Sequence, residues 1–137
     1  MGRVLAIDLG TKRTGLAVTD PLMIVASPLE TIPTHQLLEY LKRYTNSEEV
    51  STIVLGWPKS LDGTATNMTQ PVLALEKKLK KTFPAIPVEL VDERFTSKMA
   101  MQSMINMGSK KKDRKEKAGN LDKISAAIIL QTYLDRK

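Results

Sequence analysis

The first apolar run of the chain, Val4-Leu5-Ala6-Ile7, stops at a carboxylate, Asp8, and Leu9-Gly10-Thr11-Lys12-Arg13 separates it from a second run, Thr14 to Thr19. Unbroken apolar runs this short read as strands buried on both faces. The pattern therefore predicts a strand from Val4 to Asp8, a tight turn through Gly10, and a returning hairpin partner from Thr14 to Thr19. Asp20-Pro21 makes the next turn, and Ala26 to Ile32 is the third strand. From Pro33-Thr34 the spacing changes. Leu37, Leu38 and Leu41 recur at helical intervals as far as about Tyr44, with Thr34 as the expected N-cap. Ser51 to Leu55 is a short β-branched strand, and Gly56 to Asn67, with Pro58 and Asp62-Gly63, is loop. A helix from about Met68 to Lys81 and a fifth strand from Val88 to Asp92 follow. The helical spacing from Thr96 to Met107 stops at Gly108. Gly108 to Gly119 is expected as a basic loop, and Asn120 to about Asp135 as the last helix. Three consecutive strands, then helix, strand, helix, strand and helices, argue an α/β fold: a five-stranded mixed sheet with helices on both faces.

Composition narrows the class. With no repeat, linker or break in composition, the 137 residues are expected to form a single domain, 1–137. A hydrophobic fraction of 42% with 26% charged residues is that of an ordinary globular protein. The absence of cysteine excludes disulfides, thiolate catalysis and a zinc–cysteine centre, and fits a cytoplasmic location. No apolar run is long enough for a membrane span and no charged-then-apolar leader precedes the first strand, so no membrane partner is expected. The net charge of +6 is concentrated in two places: Lys110, Lys111, Lys112, Arg114, Lys115 and Lys117, and the cluster Lys77, Lys78, Lys80 and Lys81. Such runs favour a polyanion through counterion release without distinguishing RNA from DNA. Aromatics are only 4% of the chain, too few for many stacking platforms, so recognition should rest mostly on phosphate and shape.

The chemistry lies with the acids. Asp8 ends the first predicted strand, Asp92 and Glu93 end the fifth, and Asp122 stands in the first turn of the predicted last helix. Parallel strands place their C-terminal ends on one edge of a sheet, where ligands bind. If the first and fifth strands are parallel, Asp8 and either Asp92 or Glu93 share that edge. Ser125 and Ala126, one turn beyond Asp122, are small enough for the helix to approach the sheet closely. Each acid has a structural explanation when taken alone: a turn bonded by Asp8, a strand-end ion pair with Arg94, a helix dipole at Asp122. Together they would repel unless a cation joined them. An all-oxygen ligand set suits Mg²⁺ or Mn²⁺. Such a centre serves in-line phosphodiester hydrolysis. His35, the only histidine, is expected at the surface, so Ser–His–acid chemistry is not expected.

Four segments in order, Ala6-Ile7-Asp8-Leu9-Gly10-Thr11-Lys12, Val54-Leu55-Gly56-Trp57-Pro58-Lys59 with Asp62-Gly63-Thr64, Val91-Asp92-Glu93-Arg94-Phe95-Thr96-Ser97, and Leu121-Asp122-Lys123-Ile124-Ser125-Ala126-Ala127, resemble the YqgF/RuvX family over essentially the whole chain. The resemblance implies an RNase H-like fold related to the RuvC resolvase, and a metal-dependent nuclease that matures the 5′ end of pre-16S rRNA or resolves Holliday junctions. It assigns the acidic site to Asp8, Glu93 and Asp122, with Mg²⁺ or Mn²⁺ as cofactor. Glu93 is preferred to Asp92 because alternation lets only one of them face the site and the longer side chain reaches a shared metal. Thr11, Lys12, Arg13, Lys59 and Arg94 become candidate phosphate contacts. Lys110, Lys111, Lys112, Arg114 and Lys115 become an arm that closes over structured RNA or branched DNA. Trp57 is expected to pack. Trimming RNA needs only a monomer, whereas cutting two strands of a junction favours a homodimer. Two other classes compete. A degenerate domain of this fold would bind nucleic acid without cutting it. Asp8-Leu9-Gly10-Thr11 is also similar to the phosphate-binding turn of sugar kinases and actin-like ATPases, but those clasp nucleotide between two such domains and the chain has length for one.

Overall fold

Five strands, β1 (Arg3–Leu9), β2 (Arg13–Thr19), β3 (Ala26–Pro33), β4 (Val50–Trp57) and β5 (Val88–Asp92), form one sheet in the order β3-β2-β1-β4-β5. The computed structural model describes residues 2–57, 69–92 and 114–135, and at Trp57, Asp92 and positions 114–122 it describes the backbone alone. β1 pairs antiparallel with β2 and parallel with β4, which pairs parallel with β5. β2 and β3 continue the antiparallel hairpin. The sheet is therefore mixed, as the sequence predicts, and β1, β4 and β5 end on one edge, which meets the condition for a shared edge.

Among the described residues three helices cover it: α1 (Leu37–Ser47), α2 (Thr69–Thr82) and α3 (Arg114–Asp135). Alternation along the strands divides the core into two layers. Leu5 and Ile7 of β1, Leu16 of β2 and Ile53 and Leu55 of β4 pack with Leu37 and Leu41 of α1 and Val72, Leu75 and Leu79 of α2. Val4, Ala6, Ala17, Val54 and Val91 point the other way, against Ala126, Ile129, Leu130 and Tyr133 of α3. Burial on both faces is why the central strands read as unbroken apolar runs rather than alternating ones. Alanines at 6, 17 and 126 thin the second layer and let α3 come close. Tyr133 is 1% exposed. Its hydroxyl is satisfied by donating to Glu89 Oε2 at 2.6 Å, which ties α3 to β5.

Two elements differ from the sequence expectation. α3 starts at Arg114 rather than at Asn120. The segment Arg114-Lys115-Glu116-Lys117-Ala118 consists of strong helix formers, and their summed propensity carries the helix through Gly119, which costs only about 1 kcal/mol. Arg114 and Lys115 thus belong to a helix, not a loop, and Asp122 stands in its third turn rather than its first. Thr34 opens a 3-10 turn (Thr34–Gln36) before α1, but Pro33 is its cap residue and no side chain caps it. The Thr34 hydroxyl is used elsewhere, as described below. The expected helix over Thr96 to Met107 and the turn at Asp62-Gly63 lie outside the described residues.

The β2–β3 connection is built on Asp20. Its carboxylate accepts the backbone N–H groups of Ile24 and Val25, both at 2.8 Å, and of Leu22 at 3.2 Å. Met23 adopts φ 60° within this turn. The Val25 and Ile24 bonds hold the Asp20 carboxyl below its ordinary 3.8. A depressed carboxylate stabilises its turn above the ordinary value and loses that effect as pH falls through the folded one. The amide resonances of Ile24 and Val25 should therefore hold from neutral pH downwards and shift with a midpoint below 3.8. An acid NMR titration checks this. Replacing Tyr133 with Phe removes the donor to Glu89 and should cost about 1–2 kcal/mol in denaturant unfolding, with the slope unchanged.

Candidate active site at the C-terminal edge of the sheet

Strand parity decides which face each acid can serve. Asp8 follows Val4 and Ala6 at intervals of two, and these pack against α3. Asp8 therefore stands on the α3 face, half-buried, where β1 reaches the edge shared by β4 and β5. Its antiparallel partner is Gly15. On the other side Ile7 pairs with Leu55, which places Gly56 next to the level of Asp8. Both flanks thus lack a side chain at the level where an apolar core would ordinarily continue. Glycine within a strand weakens it and marks a place where something approaches the backbone closely.

The turn after Asp8 is equally constrained. A Cβ on Gly10 would lie 2.3 Å from the Arg13 carbonyl oxygen, so only glycine permits this closure. The start of the 3-10 turn clamps it from outside. Thr34 Oγ1 donates to the Gly10 carbonyl at 2.7 Å and lies 2.9 Å from Thr14 Oγ1, while the Thr34 N–H donates to the Lys12 carbonyl at 3.0 Å. This use of the hydroxyl explains why Thr34 does not cap the helix. Thr11, Lys12 and Arg13 are held exposed on a rigid turn beside Asp8.

Asp122 belongs to α3. Buried Ala126, Ile129 and Tyr133 follow position 122 at intervals of four, seven and eleven residues, so its backbone position is in phase with the sheet-facing stripe. α3 lies chiefly over β2, β3 and β1, the strands around Asp8 and Gly15. In β5, Val91 packs toward α3 and Val88 and Leu90 toward the other layer. Glu93, Lys59, Arg94, Lys110, Lys111 and Lys112 lie outside the described residues, as do the side chains of Asp122, Arg114, Lys115 and Trp57. Among the described residues no three His, Cys, Asp or Glu side chains converge as a metal site. Of the three predicted acids, Asp8 alone has a described side chain.

Sequence reasoning missed Gly15, Gly56 and Thr34 as parts of the site. The two glycines gain meaning only from cross-strand register, and Thr34 only from tertiary contact. A glycine inside each neighbouring apolar run was the available signal. Gly10→Ala should destabilise the fold by more than about 1 kcal/mol and lower any activity of the edge, since the turn must open to relieve the contact. Denaturant unfolding and a cleavage assay measure the two effects.

A family model described as "RuvX: Holliday junction resolvase" matches residues 2–136. A protein of Phocaeicola vulgatus named "Putative pre-16S rRNA nuclease" is 50% identical over 137 residues, covering 100% of this chain and 98% of its own. A protein of the same name from Christiangramia forsetii is 51% identical over 134 residues, covering 98% of each. Among solved structures, Thermus thermophilus RuvC in complex with Holliday junction substrate superposes with a TM-score of 0.58 at 18% identity, over 99% of this chain and 96% of that one. A second structure of the same protein gives 0.52 over 98% and 96%. These likenesses show the fold, the RNase H-like sheet of the RuvC resolvase.

Proposed function

The chain belongs to the RuvX family, and from that premise we propose that it is a nuclease hydrolysing phosphodiester bonds at the edge that carries Asp8, with the 5′ leader of pre-16S rRNA as substrate. The observation that carries the reading is the setting of Asp8: a carboxylate at a strand end, flanked by Gly15 and positioned next to Gly56, facing the helix that bears position 122. A noncatalytic binding module has no need for an acid with both flanks cleared. The names of the curated relatives support the RNA substrate.

We assign Asp8, Glu93 and Asp122 as the acidic set. Parity speaks against Asp92: position 92 has the parity of Val88 and Leu90, which pack in the layer away from α3, and Glu93 is kept as the third acid. The phase of position 122 supports Asp122. The donors are carboxylate oxygens, which fit a hard divalent cation such as Mg²⁺ or Mn²⁺. Bound there, that cation would supply charge neutralisation and an acidified water for in-line attack. The protein's own part is positional. Asp8 is held on a strand that cannot shift without breaking both of its ladders. Exposed Lys12 and Arg13, on the clamped turn, attract and orient phosphate, as do Thr11, Lys59 and Arg94. Lys110, Lys111, Lys112, Arg114 and Lys115 add sequence-independent attraction, the last two from the N-terminal turns of α3.

Junction resolution is the second reading, favoured by the family description and the likeness to RuvC. It asks for two centres and hence a homodimer, whereas trimming a leader asks for one. No helix among the described residues is long and apolar enough to cross a membrane. A ribosomal RNA substrate places the protein in the cytoplasm on this reading.

The test offers a 16S precursor with its 5′ leader and a synthetic four-way DNA junction side by side, with Mg²⁺ or Mn²⁺. Asp8→Asn and EDTA should each lower cutting of the preferred substrate by about 100-fold or more while binding persists. Cutting of the junction alone would replace the RNA reading. Unchanged cutting by the variant would remove Asp8 from the site.

A further inference from the structure

On the opposite side of the sheet from Asp8, but at the same end, the first turn of α1 and the first three turns of α2 line a cavity of about 350 Å³. Leu9, Leu38 and Leu75 line it, and Ala74 and Pro71 form its α2 wall. Its cationic and polar members are Lys78 and His35. Thr34 lines it too, and this is the residue whose hydroxyl and N–H clamp the Gly10–Arg13 turn. The cavity and the phosphate-facing turn thus share a wall. Leu9 is the residue immediately after Asp8 and presents the opposite face of the same strand.

We propose that this cavity takes the base of one unpaired nucleotide of the nucleic-acid substrate, next to the phosphates held at Lys12 and Arg13. The proposal rests on the nuclease reading above and adds a subsite to it. Three observations fit that occupant. The volume lies in the range of small-molecule pockets and the lining is apolar, as the face of a base requires. Lys78 lines the cavity, and Lys77 and Lys81 are close to it in sequence on α2, a charge that favours a polyanion. The exposed His35 provides a flat ring on which a base can stack. A rigid duplex cannot put a base into a recess between two helices, so the nucleotide must be unstacked, as at a single-stranded leader or a branch point.

The experiment uses the full chain carrying Asp8→Asn, so that substrate is bound but not cut, and reads binding by fluorescence anisotropy. The probes are a 5′-labelled RNA with a single-stranded leader on a hairpin, a series of the same RNA with one abasic position each, and a blunt hairpin without leader. Ala74→Phe fills the cavity without altering charge, at an exposed helical position that tolerates it. Lys78→Ala removes the rim charge and leaves the cavity open, and thermal melts verify that both variants fold. The expected result is that one abasic position weakens binding about tenfold, that Ala74→Phe weakens the intact RNA by a similar factor, and that the two losses do not add. Blunt hairpin binding should be unaffected by Ala74→Phe. Lys78→Ala should weaken the leader RNA by a smaller factor and lessen its salt dependence. Equal binding of leader RNA by the Ala74→Phe protein and its parent, or additive losses, would overturn the subsite. That outcome leaves the nuclease reading intact, because the latter stands or falls separately on loss of cutting in Asp8→Asn with Ala74 unchanged.

Discussion

Everything at the C-terminal edge depends on the register of β1 between its two neighbours. The antiparallel ladder to β2 sets Ile7 opposite Leu16 and Asp8 opposite Gly15, and the parallel ladder to β4 sets Ile7 beside Leu55. Because side chains alternate, a slip of one residue in either ladder would turn Asp8 into the apolar layer under α1 and α2 and expose Leu9 instead. That slip is penalised twice, since both faces of β1 are buried and each has its own packing partners. The site thereby inherits its precision from the core. A carboxylate that must hold one position is mounted on the strand with least freedom to move.

The space around Asp8 is obtained at some expense. Gly15 and Gly56 contribute no packing and weaken their strands, and the turn at Gly10 admits no other residue. The fold offsets this locally with the Thr34–Thr14–Gly10 hydrogen bonds rather than with apolar contact. These bonds are made to the Gly10 and Lys12 carbonyls and the Thr14 hydroxyl, and they leave the Lys12 and Arg13 side chains exposed.

Much of this was visible in the chain before any coordinates. Short apolar runs bounded by turn residues gave all five strands to within two residues at each end, because strands buried on both faces admit few polar interruptions. The parallel relation of the first and fifth strands was a condition of the shared edge, and the β1–β4 and β4–β5 ladders meet it. The start of α3 was misjudged because a basic run reads as loop by charge, whereas lysine and arginine are also good helix formers. Thr34 was taken for a cap because local patterns do not reveal a partner 24 residues away. Asp8 was found from its place at a strand end, but the clearing around it was not, since register is a property of pairs of strands. The preference for Glu93 over Asp92 came from alternation and side-chain length alone, and Glu93 lies outside the described residues.

The second core layer has an implication for how the protein is made. Val4, Ala6 and Ala17 come from the start of the chain, and the described helical residues packed against them come from 126 to 134. Nearly the whole polypeptide must leave the ribosome before that face of the sheet is closed, so contacts of the largest sequence separation form last. The side of the sheet that carries Asp8 therefore stays open until the helical residues from 126 onward have been made.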